Sequence, residues 1–310
     1  MKTLPYVLHL LLFFLAGVFL FSGIIKLFPA ELFEYTFVNM GLAGWSTAPV
    51  VARLFVSLEL MLGMGMLVPY RKILKPALQW AFIFLLSMSA YLIWQWISSG
   101  NEGNCGCLGM LFPMTPLQSL LKNLLLLGLL APLLWGQKHL WLLEKKQTLY
   151  LIAGLILSLA LPYVISPPAW GDFPSQEKTE GSLYLEELDS PAPFDLGKGK
   201  SVVAFMSLTC PHCRVAAYKL GVMKKKNPAL PLYFFLNGEK KNEAAFFAET
   251  HTSGIPHSYM SIREGFLRNT NGSVPSIFLV NAMRTERKIN YLLVRQEEIE
   301  TWLAAAEKTK

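Results

Sequence analysis

Five apolar runs in the first half of the chain constrain its fold more than any other feature. Residues 5–28, 48–68, 77–98, 117–135 and 147–166 are each close to the ~20 helical residues that cross ~30 Å of hydrocarbon. Hydrophobic residues make up 53% of the 310-residue chain and concentrate here. An all-α transmembrane bundle over residues 1–166 follows. The first run reads as a helix and not as a signal peptide. It exceeds the ~7–15 residues of a signal-peptide core, and no small-x-small cleavage site follows it.

Loop charges orient such a bundle. Lys2, then Arg71, Lys72 and Lys75, then Lys138, Lys145 and Lys146 flank one side, whereas loops 29–47 and 99–116 carry no Lys or Arg. The expected orientation has a cytoplasmic N-terminus, with everything beyond residue 167 on the periplasmic side of the inner membrane after five crossings. Lys26, Arg53 and Lys122 lie just inside the outer ends of their runs and oppose this bias if counted. Residues 1–166 hold most of the net charge of +7. That excess is a topology signal, and Lys224, Lys225 and Lys226 read as a solvated helix end, so no nucleic acid is expected as a partner.

Residues 167–193 are rich in Pro, Glu and Ser without periodicity and read as a linker, with one short strand at 182–185. From residue 194 to 310 the pattern is that of an α/β domain. Strands are expected at 201–206, 231–236, 276–280 and 285–290, and helices at 211–226, 243–250 and 296–307. The order β-α-β-α-β-β-α carries Cys210-Pro211-His212-Cys213 at its first strand-to-helix turn. A helix N-terminus stabilises a thiolate, so Cys210 is the expected nucleophile and Cys213 the resolving thiol, with His212 adding positive charge or a hydrogen bond. Pro211 fits a first helical turn. A Cys-x-x-Cys can also be half of a zinc site or a structural disulfide. The two cysteine pairs lie in separate domains, however, and His9, His139, His251 and His257 lack ligand spacing, so no metal is expected.

With these residues in place, 194–306 resembles the thioredoxin superfamily, and Pro211-His212 is the dipeptide of its DsbA-type oxidases. The resemblance implies that Val274-Pro275 is the cis-proline loop that receives substrate backbone. Thr209 stands where thioredoxin has tryptophan, and Ala204 where it has a buried acid that assists proton transfer.

The only other cysteines, Cys105 and Cys107, flank Gly106 in a glycine-containing outer loop, Asn104 to Gly109. A disulfide closed over one residue is strained and readily reduced. Two inert thiols are the bland reading. Glu59 lies mid-way along the second run, where an ionisable group is a functional candidate by default. Lys26, Arg53 and Lys122 sit at the cysteine end and either tune the thiols, hold a polar head group, or snorkel to the interface. Asn123 and Gln95 can bind helices together. Residues 5–135 thereby resemble the DoxX/MauE family of small membrane proteins, through Ser22-Gly-Ile-Ile-Lys26-Leu, Glu59, Cys-Gly-Cys-Leu-Gly and Lys122-Asn123-Leu-Leu-Leu-Leu. The resemblance implies a four-helix bundle, to which the fifth helix is an addition. MauE-like proteins are linked to maturation of methylamine dehydrogenase, hence to amine metabolism.

Together these features describe a membrane-bound thiol–disulfide oxidoreductase with two dithiols on one side. Its expected clients are exported proteins with thiols or disulfides, in a lipid membrane. No covalently bound cofactor is expected, and a membrane quinone is the simplest electron acceptor. The alternatives are a reductase or isomerase fed by another membrane protein, and a non-enzymatic assembly factor.

Overall fold

The computed structural model describes residues 4–305 apart from 69, 102–104, 109–111, 113, 137–139, 141–147, 169–175 and 190–194. The chain divides into two units, Met1–Glu34 with Pro49–Pro168, and Tyr35–Ala48 with Ala169–Lys310.

Among the described residues six helices precede the sheet: α1 (Leu4–Ile25), α2 (Ala30–Asn39), α3 (Ala48–Leu67), α4 (Arg71–Ser99), α5 (Pro116–Gly136) and α6 (Thr148–Ile165). Helices α1, α3, α4 and α5 are long and apolar enough to cross a membrane. Helix α6 adds 18 residues, apolar over Ile152–Ile165, about 27 Å in all at 1.5 Å per residue. Helix α2 falls where the sequence reads as a loop; at ten residues it is too short to span. Arg71, Lys72 and Lys75 belong to the first turns of α4 and do not precede it.

The bundle core is built from one stripe each of α1, α3, α4 and α5. Leu12 and Leu15 of α1, Leu78 of α4, and Leu130 and Leu133 of α5 are wholly or almost wholly buried together. Leu10, Ile97 and Trp135 point outward, as lipid-facing residues of a multi-pass membrane protein must. Two glycines bring α1 against α3. A Cβ on Gly63 would lie 2.8 Å from the Leu20 side chain and 3.1 Å from the Ala16 carbonyl oxygen, and one on Gly23 would lie 2.9 Å from Leu60. Small residues permit this approach where lipid offers no hydrophobic drive for helix pairing.

The second unit carries a six-stranded sheet: β1 (Gln176–Ser182), β2 (Lys200–Ser207), β3 (Leu232–Asn237), β4 (His257–Tyr259), β5 (Ser276–Asn281) and β6 (Arg284–Ile289), in the order β1-β6-β5-β2-β3-β4. Strand β2 is central, parallel to β3 and antiparallel to β5. Its alternation feeds two cores. Val202, Ala204 and Met206 face Ala216 and Leu220 of α7 (Pro211–Lys226), Phe246 of α8 (Glu243–Thr250), and Ile299 and Trp302 of α10 (Gln296–Ala304). Val203 and Phe205 face Phe235, Phe278 and Phe266, the last on α9 (Arg263–Thr270). A strand covered on both faces reads as a continuous apolar run, as this one does.

The region expected as linker is corrected in part. Residues 176–182 form β1, paired antiparallel to β6 at the edge of the sheet. Beyond it, the Tyr184 backbone N–H donates to Asn269 Oδ1 at 2.9 Å, and the Gly265 N–H donates to Glu187 at 2.6 Å. Strand β4 and helix α9 are further elements that the sequence pattern does not announce.

Candidate active site

The turn between β2 and α7 places the first dithiol. Cys210 caps α7 in extended backbone, and its sulfur accepts the Cys213 N–H at 3.4 Å. Pro211 takes the first helical position, where no N–H is needed. Cys210 is partly exposed, whereas Cys213 is wholly buried beneath β2 and accepts the Ser207 N–H at 3.3 Å. Burial pushes the Cys213 thiol well up, and the bond with Cys210 adds to the shift against the opposing Ser207 N–H. The two sulfurs are thereby unequal: one can be reached from solvent, the other cannot.

Val274 and Pro275 are joined by a cis peptide at the start of β5, and the Cys210 sulfur lies 3.9 Å from the Val274 carbonyl oxygen. The loop thus sits directly beside the reactive turn. His212 is exposed, with Nδ1 3.3 Å from the Tyr291 hydroxyl. Ala204 is fully buried in the core under α7.

The second dithiol lies between α4 and α5. Gly106 adopts φ 74°, a left-handed conformation that glycine takes at no steric cost. Cys105 is 3% exposed and Cys107 partly exposed. The Cys105 sulfur is 2.9 Å from the Ser119 hydroxyl, on the first turn of α5, and accepts the Cys107 N–H at 3.4 Å. All four cysteines are free thiols. The thiol of Cys105 is brought down to about 6, first by its bond with Cys107 and then by Ser119 and the Lys122 charge, against burial. Cys107 is pushed up by the same bond and by burial, with Lys122 and Lys26 opposing.

The charged candidates of the bundle fall into two groups. Lys26 Nζ lies 2.5 Å from Glu59 Oε1 and 3.2 Å from the Ser22 hydroxyl, all three buried. Ser22 and Lys26 are one turn apart on the α1 side, and the close approach of α1 to α3 brings Glu59 to them. Arg53 is spoken for elsewhere: it donates to Glu34 at 2.5 Å, to the Pro49 carbonyl at 2.8 Å and to the Ser166 carbonyl at 2.5 Å. It ties the start of α3 to α2 and to the end of α6. Lys122 is half-buried and Asn123 buried on α5, within the same two turns as Ser119. Ser119, Glu34 and Tyr291 are site neighbours that the sequence reading does not single out. For Ser119 the available signal is its position one helical turn before Asn123. Lys2, Asn104, Gly109, Lys138, His139, Lys145 and Lys146 lie outside the described residues.

Residues 4–136 match the family model described as methylamine utilisation protein MauE. Protein TlpB of Flavobacterium psychrophilum is 29% identical over 305 residues, with 80% of each chain covered. A secreted Mycobacterium tuberculosis disulfide oxidoreductase homologous to E. coli DsbE shares 18% identity, covering 36% of this chain and 84% of its own, at a TM-score of 0.30. StoA from Bacillus subtilis shares 16%, covering 42% and 98%, at a TM-score of 0.28.

Proposed function

We propose that this thiol–disulfide oxidoreductase, a MauE-like membrane bundle joined to a thioredoxin-like domain, oxidises thiols of exported proteins and passes the electrons inward to a membrane quinone. The observation that carries the reading is the pair of unequal dithiols. Each has one partly exposed cysteine and one buried partner, the arrangement that disulfide exchange needs at both ends of a relay.

The chemistry balances in three exchanges. A client thiolate attacks Cys210 of the Cys210–Cys213 disulfide, and Cys213 leaves with the electron pair. A second client thiol displaces Cys210, which releases the client disulfide and leaves the pair reduced. The reduced pair then opens the Cys105–Cys107 disulfide in the same way, becoming oxidised itself. A quinone supplies the final acceptor, taking two electrons and two protons from Cys105 and Cys107.

Residues of the bundle suit that last step. Lys26 and Lys122 bring positive charge toward the cysteine pair, where a reduced headgroup carries developing negative charge. Glu59, bonded to Lys26, is the group that can carry a proton. Arg53 is assigned a positioning role through Glu34 and the end of α6. Val274 and Pro275 receive client backbone beside Cys210, and exposed His212 faces the client.

The orientation belongs to the same proposal. Five crossings with basic flanks inside put both dithiols on the periplasmic side of the inner membrane. Both pairs then lack a thiol partner on the opposite face, so a lipid-soluble carrier is the simplest acceptor. The test is the redox state of each pair in membranes with and without quinone. Both pairs should become reduced on quinone depletion and oxidised on its return. Pairs that stay oxidised without quinone overturn the route, and pairs that are reduced at all times favour the opposite direction of flow.

A further inference from the structure

We propose that the two cysteines of the loop have fixed and different jobs: Cys107 is the sulfur that an incoming thiolate attacks, and Cys105 is the thiolate that leaves, received by the Ser119 hydroxyl. The inference rests on the reading of this loop as an exchange site and assigns its polarity.

Accessibility sets the first half. Disulfide exchange requires the attacking sulfur to reach the attacked one along the S–S axis. Cys107 is partly exposed, while Cys105 is 3% exposed and faces α5. A protein thiol approaching from solvent meets Cys107.

The surroundings of Cys105 set the second half. Its sulfur has the fully buried Ser119 hydroxyl at 2.9 Å and the Cys107 N–H at 3.4 Å. A thiolate accepts both, and a buried thiolate without donors is costly. Both donors remain in place while Cys107 is bonded to the partner, and a leaving thiol whose thiolate is stabilised leaves faster. Electron bookkeeping follows directly. The attacking thiolate forms a bond to Cys107, the Cys105–Cys107 bond breaks, and its electron pair stays on Cys105. Cys105 then closes back on Cys107 to expel the partner, or waits as a thiolate within the field of the Lys122 charge. Ser119 touches neither the partner nor the reacting bond's far sulfur, so it is a positioning residue.

The test uses the full chain in detergent with glutathione as probe. In the first arm the intact Cys105–Cys107 disulfide is opened with glutathione, the reaction is stopped with acid, and the adduct is mapped by peptide mass. Adduct on Cys107 should exceed adduct on Cys105 by about tenfold or more. The second arm follows the rate of that opening. Ser119→Ala should slow opening by on the order of tenfold, the loss of one hydrogen bond to a charged sulfur, and Ser119→Thr should restore it. Equal adduct on both cysteines, more adduct on Cys105, or opening indifferent to Ser119→Ala overturns the assignment. Glutathione reports on this pair without the outer dithiol. A relay that fails therefore leaves the polarity standing, and a reversed polarity leaves the relay open.

Discussion

The Lys26 ammonium lies 2.5 Å from the Glu59 carboxylate, with both side chains about 5% exposed inside the helix bundle. Neither charge is tolerable there alone, and each answers the other across the contact of α1 with α3. Gly23 and Gly63 make that contact possible. The pair is a structural joint between α1 and α3, and in the proposed relay it is the pair that carries the proton.

Breaking this pair from one side should be worse than removing it. Glu59→Gln leaves the Lys26 charge buried and should destabilise the protein by about 3–5 kcal/mol. The double variant Lys26→Met with Glu59→Gln should be less destabilised than either single variant. Thermal unfolding of the four proteins in one detergent reads the difference. Additive losses would show that the two charges do not depend on each other.

The exposed and buried sulfurs of the outer dithiol predict asymmetric trapping. Cys213→Ala leaves accessible Cys210 without its resolving partner and should accumulate mixed disulfides with clients. Cys210→Ala leaves only the buried thiol and should accumulate few. Non-reducing gels of membranes carrying each variant separate the outcomes, and equal accumulation contradicts the roles given to the two sulfurs.

The loop dithiol should titrate. Cys105, brought down to about 6, is thiolate above that pH and protonated below it. The ultraviolet thiolate absorbance of the reduced pair should therefore be level above neutrality and fall as pH drops through about 6. The groups that face it are Cys107, Ser119, Lys122 and, toward Cys107, Lys26. Ser119→Ala removes a donor to the thiolate, so the fall should move to higher pH. A profile that is flat from acid to neutral pH, or unmoved by Ser119→Ala, counts against the thiolate assignment.

Much of this architecture is written in local pattern. Pro211 after a buried strand marks the start of α7, and the period of residues 243–250 matches α8, because one face of each helix packs on the sheet. The rest is not local. Strand β1 sits at a sheet edge and pairs with β6, so its polar sequence, Gln176–Ser182, needs no apolar alternation. Strand β4 has three residues, too few to show a period. Ser119 gains its meaning only when α5 brings it to Cys105, fourteen residues earlier in the chain. Arg53 shows the converse. Its position in an apolar run suggests function, yet its guanidinium is consumed by Glu34 and two carbonyls.

Orientation has its own direct check. A reporter active only outside the cytoplasm, fused after α10, should be active, and one fused in the loop between α3 and α4 should not. Activity in the reverse pattern would place both dithiols in the cytoplasm and remove the reason for a quinone.

The claim that joins the two halves of the molecule is that Cys105 and Cys107 re-oxidise Cys210 and Cys213. The most direct measurement is the redox state of the outer pair in membranes of the Cys105→Ser, Cys107→Ser double variant, read by alkylation with a mass tag after acid quenching. The account predicts an outer dithiol that is folded but permanently reduced, while the wild-type pair is oxidised in the same membranes. An outer dithiol that re-oxidises at the wild-type rate without the loop cysteines would contradict it.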